Sequence, residues 1–338
     1  MAQSDGPEIL GRHLNAIENA LRAAIGQGDS KIEAAARYVM GWEDAAGGPL
    51  TTGGKWIRPA LCLFAADAFG ADPAVALPGA VAIELVHNFS LVHDEIQDHD
   101  LVRHNRPTMY ARVGEAQAIN VGDFLYTRAF AALTRGAGEA GRRMDALDAL
   151  NDAVERMIRG QWEDIAFEAR EHVSIEEYLA MVAGKTGALL AAPIEIGAIL
   201  AGAPPESART ASAWGAHVGA AFQAQDDYLG IWGEPNITGK SNTNDIRRKK
   251  KTLPVVHGLN DGGAGPILRA AYAKAEVEPS DVVAVVAALE VAGSGDYCRQ
   301  RAATQAAEAD HLIEMLPVGE VERAEFRAIA RYLVERNA

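Results

Sequence analysis

The sequence predicts an all-α fold. Apolar residues recur at helical spacing from end to end, no convincing set of alternating strands interrupts them, and Gly/Pro clusters punctuate the helical runs. Leu10, Leu14, Ile17 and Leu21 mark an early helix, and Val81, Leu85, Val86 and Phe89 a later one. The punctuation falls at Gly47-Gly48-Pro49, Gly136-Ala137-Gly138, Pro204-Pro205, Gly233-Glu234-Pro235 and Gly262-Gly263-Ala264-Gly265. None of these has the length or composition of a flexible linker, and no internal repeat is visible. The expectation is one domain over residues 1–338, with about ten to thirteen helices of ordinary length.

With 49% hydrophobic residues, the chain can bury a large core without disulfides or structural metals. Cys62 and Cys298 are too few for a disulfide framework and too far apart for a metal knuckle, so both are expected as inert thiols in a reducing, cytoplasmic setting. A net charge of −14 argues against a nucleic-acid partner, whose phosphates it would repel, and none is expected. The start, Met1-Ala2-Gln3-Ser4-Asp5, lacks the basic and apolar regions of a signal peptide. No unbroken apolar run approaches the roughly eighteen residues of a membrane span, so no stable membrane insertion is expected.

Two segments, roughly 79–97 and 211–229, are apolar enough to be central helices, yet each ends in acids. Carboxylates at the end of a buried helix must be solvated, paired or metal-bound. In His93-Asp94-Glu95-Ile96-Gln97-Asp98, Asp94 and Asp98 lie one helical turn apart and share a face. The second cluster is Gln223-Ala224-Gln225-Asp226-Asp227. Mg²⁺ takes hard oxygen ligands, keeps several waters and is often completed by phosphates, so two such helix ends could hold a magnesium–diphosphate unit. Two solvated helix ends would give the same pattern.

Basic residues suited to phosphate accompany them: Lys55 and Arg58 beside Gly53-Gly54, Arg103 and Arg106 after the first acids, Lys185 in Lys185-Thr186-Gly187, which opens another helix, Lys240, and the run Arg247 to Lys251. Several decoys fall away. Pro49 and Trp56 stand where a P-loop needs its first glycine and its Ser/Thr. His93 and His99 do not form a zinc helix, no Ser nucleophile elbow is present, and Trp214 and Trp232 read as packing residues.

In order, Gly53-Gly54-Lys55-x-x-Arg58-Pro59, the first acidic motif with Arg103, Gly160-Gln161, Lys185-Thr186, Phe222-Gln223-x-x-Asp226-Asp227, Thr238-Gly239-Lys240 and Lys250-x-Thr252-x-Pro254 resemble the trans-isoprenyl (polyprenyl) diphosphate synthases. The resemblance runs from about Gly53 to Pro254. It implies an isoprenoid-synthase helical bundle with a central cavity, a homodimer, and Mg²⁺-dependent condensation of isopentenyl diphosphate with an allylic diphosphate. It implies metal binding by Asp94, Asp98 and Asp226, assisted by Glu95 and Asp227. Arg103, Lys185, Lys240 and Lys250 would neutralise the allylic diphosphate, and Lys55, Arg58 and His87 would hold isopentenyl diphosphate. The Lys185 carbonyl, the Thr186 hydroxyl and the Gln223 amide would face the developing allylic cation, with Gln161 either secondary or a packing residue.

Three departures stand out from the family pattern. Glu95 replaces an Asp, Gly230 occupies the third acidic position of the second motif, and His104 stands where a second Arg is usual at the isopentenyl site. Five residues before Asp94, Phe89 would floor the product cavity at farnesyl or geranylgeranyl length, the latter favoured; the alternative for Phe89 is core packing. The rival functions are a terpene cyclase or other enzyme consuming the allylic diphosphate alone, which His104 favours, and a non-catalytic subunit of a heteromeric synthase, which Glu95 and Gly230 allow.

Overall fold

The computed structural model describes residues 6–50, 54–103, 105–233 and 244–335. The fold is all-α, as predicted; among the described residues the named strands are Val102–Arg103 and Arg106–Pro107, a minimal antiparallel pair with Arg103 opposite Arg106. Backbone contacts divide the chain into two compact units. The first contains Met1–Asp152, Ala192–Arg209 and Pro317–Gly319, and the second Ala153–Ala191, Thr210–Leu316 and Glu320–Ala338.

In the first unit the helix Leu77–Gln97 is the axis, and its bounds fall within two residues of the predicted segment. Its Val81, Ile83, Leu85, Val86 and Phe89 are buried, and it packs on the helices Leu14–Ile25, Ile57–Ala68 and Glu115–Arg135. Glycines set how closely the neighbours approach. A Cβ on Gly122 would come within 2.3 Å of His93 Nε2, and one on Gly197 within 2.2 Å of the Cys62 carbonyl oxygen.

In the second unit Trp214 is 1% exposed and packs edge-on against Phe326, a core role as expected. One buried cluster joins Phe167, Tyr178, Met181, Leu253 and Cys298. Ser174 and Glu177 form a reciprocal capping box that starts the helix Ile175–Val182. The sequence suggested that Lys185-Thr186-Gly187 opens a helix. Instead, Ala183–Gly187 is a π-helical turn joining Ile175–Val182 to Ala188–Ala201. Such turns widen the backbone and recur at functional sites. Gly160 and Gly184 allow the widened turn to sit against the Ala140–Glu168 helix, since a Cβ on Gly160 would lie 2.3 Å from the Lys185 amide nitrogen. The second acidic helix runs Pro205–Trp232, longer than predicted, because Pro205 begins it instead of breaking the chain.

The stretches Pro73–Gln97 and Ile175–Ala201 are long and apolar enough to cross a membrane by composition, but most of the apolar window in each is buried inside the protein. Both cysteines are buried free thiols, and burial pushes them above the usual thiol range. Gly197→Ala should lower the urea midpoint by the equivalent of about 1–3 kcal/mol at unchanged slope, because the added methyl meets backbone that cannot yield cheaply; an unchanged midpoint would show that this contact is slack.

Candidate active site

On the first unit, the acidic motif closes the Leu77–Gln97 helix, with Asp98 as its C-cap. Asp94 is half-buried and Asp98 exposed, on the shared face expected from their spacing. Glu95 turns the other way: it is buried, its Oε2 accepts the Met109 N–H at 3.3 Å, and burial raises its pKa while Arg103 opposes the shift. Met109 opens the helix Met109–Val113, so Glu95 serves that helix's first amide, and its extra methylene over Asp lengthens its reach.

Arg58 and His87 meet, with Nη1 and Nε2 3.2 Å apart. Burial and the cations Arg58 and Arg103 hold His87 well below the ordinary imidazole range, so it is a neutral partner. Glu84, one turn earlier, is buried and pushed up to about 7 by burial, despite Arg58 and a hydrogen bond from Asn88 Nδ2 at 3.0 Å. Lys55 is exposed just ahead of the Ile57–Ala68 helix, whose N-cap Trp56 holds the left-handed conformation at φ 39°. Arg103 is half-buried on the hairpin. Arg106 is not a phosphate ligand in this arrangement: it donates to the Tyr38 and Glu43 carbonyls at 3.2 and 2.7 Å and stacks on the Tyr38 ring. Phe89 is buried in an aromatic row with His93, Tyr126 and Phe130. His104 and Lys240 lie outside the described residues.

The second unit gathers Lys185, Thr186, Gln223, Asp226, Asp227 and Lys250 around one cavity of about 200 Å³. Asp226 is exposed, whereas Asp227, its neighbour, is 5% exposed. Asp227 Oδ1 accepts from Gln223 Nε2 at 2.8 Å, and its Oδ2 accepts from the Tyr178 hydroxyl and from the Leu253 N–H at 2.8 Å. Burial pushes Asp227 up to about 7 against those three hydrogen bonds. The Thr186 hydroxyl donates to Gln223 Oε1 at 3.0 Å, and Lys185 Nζ donates to Asp164 Oδ2. Asp164, Tyr178 and Asp245 also line the cavity, and sequence reasoning missed all three. Asp164 had a signal, one turn after Gly160; the others had none beyond composition. The basic run divides: Lys250 and Lys251 line the cavity, while Lys249 donates to the Lys274 and Ala275 carbonyls.

Among the described residues, no three His, Cys, Asp or Glu side chains converge on a metal position. Accessible oxygen donors that leave the shell incomplete suit Mg²⁺, which water and phosphate complete. Asp94, Asp98 and Asp226 have that chemistry.

Residues 43–289 match the polyprenyl synthetase family. The chain is 40% identical over 337 residues to the (2E,6E)-farnesyl diphosphate synthase of Mycobacterium tuberculosis, covering 98% of this chain and 93% of that protein. It is 37% identical over 285 residues to the geranylgeranyl diphosphate synthase of Methanosarcina mazei, covering 84% and 86%. The crystal structure of a polyprenyl synthetase from Streptomyces coelicolor A3(2) superposes with a TM-score of 0.90 at 40% identity, covering 97% of this chain and 99% of that one. With those motifs, that fold and these relatives, the chain belongs to the polyprenyl synthetase family.

Glu84 gives a pH test. A buried acid whose folded pKa exceeds its unfolded value binds more protons when folded, so stability falls as pH rises through the window from about 4.5 to about 7. Glu84→Gln removes this loss. Relative to wild type, the variant should gain on the order of 1–3 kcal/mol on going from pH 5 to pH 8, read from urea midpoints; parallel pH profiles would show that Glu84 does not titrate in this window.

Proposed function

We propose that this chain is a Mg²⁺-dependent trans-prenyltransferase that condenses isopentenyl diphosphate with an allylic diphosphate to give a short-chain prenyl diphosphate, with geranylgeranyl diphosphate the leading product. The observation that carries the reading is the single cavity gathering Lys185, Thr186, Gln223, Asp226 and Lys250, residues from separate motifs of the family's ordered set. Asp94, Asp98 and Asp226 would hold the metal. Glu95 and Asp227 are the assisting carboxylates implied by resemblance, although their oxygens engage protein donors. When bound, Mg²⁺ neutralises diphosphate charge and makes it a better leaving group.

The protein's own groups do the rest. Lys185, Lys250, Arg103 and Lys240 add positive charge to the allylic diphosphate, and Lys55, Arg58 and His87 orient isopentenyl diphosphate, with His104 in the position usually held by an Arg. The Lys185 carbonyl, Thr186 and Gln223 present oxygen lone pairs to carbon as it becomes cationic. The isopentenyl double bond, held close, attacks that carbon; a proton then leaves to the released diphosphate, so no dedicated base is needed. Apolar walls including Phe89 exclude water from the cation and receive the chain.

A farnesyl product is the second reading, favoured by the 40% identity to the mycobacterial farnesyl synthase. The reading includes a single catalytic domain, a cytoplasmic setting and a homodimer. An exposed stripe of Ile158, Trp162 and Ile165 at helical spacing supports the homodimer.

Asp94→Ala and Asp226→Ala should each cut turnover about 10²–10³-fold or more with the fold intact, measured by labelled isopentenyl diphosphate incorporation. Near-normal turnover in both would remove the metal assignment, and turnover of an allylic diphosphate without isopentenyl diphosphate would favour the cyclase alternative. Phe89→Ala should keep activity and shift products to longer chains on chromatography. Because the ring packs on Tyr126, a stability loss of about 3–5 kcal/mol accompanies it; an unchanged product distribution in the soluble variant would assign Phe89 to core packing alone.

A further inference from the structure

We propose that Asp227 and Tyr178 are positioning residues that set which end of the Gln223 amide faces its surroundings, and that Asp227 does this in place of ligating metal. The proposal rests on the prenyl-transfer reading above only for what Gln223 faces; the brace itself stands on hydrogen-bond direction. The Gln223 Nε2–H and the Leu253 N–H can only donate, so each Asp227 oxygen accepts from one of them. Asp227 Oδ1 takes the Gln223 Nε2–H at 2.8 Å, which turns Gln223 Oε1 toward Thr186, and the Thr186 hydroxyl donates to that oxygen at 3.0 Å. Every proton in the chain therefore points toward Asp227, and the lone pairs left over belong to Thr186 Oγ1 and Gln223 Oε1. Lone pairs, not N–H or O–H dipoles, stabilise a carbocation.

Asp227 is itself fixed from two further elements. Its Oδ2 accepts from the Tyr178 hydroxyl on the Ile175–Val182 helix and from the N–H of Leu253, the first residue of the Leu253–Asn260 helix. Leu253 opens that helix, so its N–H has no intrahelical acceptor, and Asp227 supplies one. Three protein donors on one buried carboxylate leave little capacity for a metal, whereas Asp226 beside it is exposed.

Asp227→Asn tests the direction directly. The Leu253 N–H would hold the new amide oxygen at the Oδ2 position, which aims its NH₂ at Gln223. Gln223 must then turn over and offer its own NH₂ to Thr186. The expected result is a kcat lowered about 10- to 100-fold. The KM for isopentenyl diphosphate and the half-saturating Mg²⁺ should each change less than about twofold, whereas Asp226→Asn should raise the latter about tenfold or more. Tyr178→Phe should lower kcat in the wild-type background and have little further effect on Gln223→Ala, as expected for a residue acting through Gln223. Independent of turnover, the ¹⁵N side-chain amide of Gln223, assigned by its loss in Gln223→Ala, should exchange with solvent about tenfold or more slowly in wild type than in Tyr178→Phe or Asp227→Asn. Additive kinetic effects of Tyr178→Phe and Gln223→Ala, equal amide exchange in all three proteins, or a Mg²⁺ shift in Asp227→Asn matching that of Asp226→Asn would each overturn the proposal. Protection of the amide in a wild-type protein that transfers no prenyl group would instead retain the brace and refute the prenyl-transfer reading.

Discussion

A carboxylate placed among apolar helices must either reach water or be fully supplied with donors, and this requirement organises both acidic motifs. In each, neighbouring acids divide the two options. Asp98 and Asp226 are exposed, while Glu95 and Asp227 are buried and accept the opening N–H of a later helix, at Met109 and at Leu253. Those amides belong to helix first turns, where no intrahelical acceptor exists, so the pairing satisfies both partners at once. The acidic motifs thus act as anchors for the chain that follows them as well as candidate ligands.

Backbone proximity sets a second constraint. The π-helical turn places the Lys185 amide and the Thr186 hydroxyl on a segment wider than an α-helix, and Gly160 and Gly184 let it lie against the neighbouring helix without side chains between. The Thr186–Gln223–Asp227–Tyr178 chain inherits its positions from that contact and from a capped helix start. A network of this kind gains strength from a low local dielectric, and loses it if one member is left unsatisfied.

Much of this was legible in the residues. Period and punctuation located the Leu77–Gln97 helix, and the spacing of Asp94 and Asp98 gave their common face. The ordered motifs named seven residues that line one cavity. What stayed hidden depended on three-dimensional partners. Pro205 reads as a breaker but opens a helix, and nothing local marks the extra residue of a π turn. Tyr178 is an ordinary helical aromatic until Asp227 lies beside it, and Arg106 matches a phosphate ligand until Tyr38 and Glu43 occupy it. Charge type is written in the sequence; whether that charge is already spent is decided by the fold.

The two cysteines acquire a use from their burial. Cys62 belongs to the first unit and Cys298 to the second, each at 0% exposure and each with a thiol that burial keeps protonated. A thiolate-seeking reagent therefore meets neither until its surroundings open. The chain carries one native clock for each unit: the rate at which each sulfur is trapped counts the openings of its own half, without a foreign label being introduced.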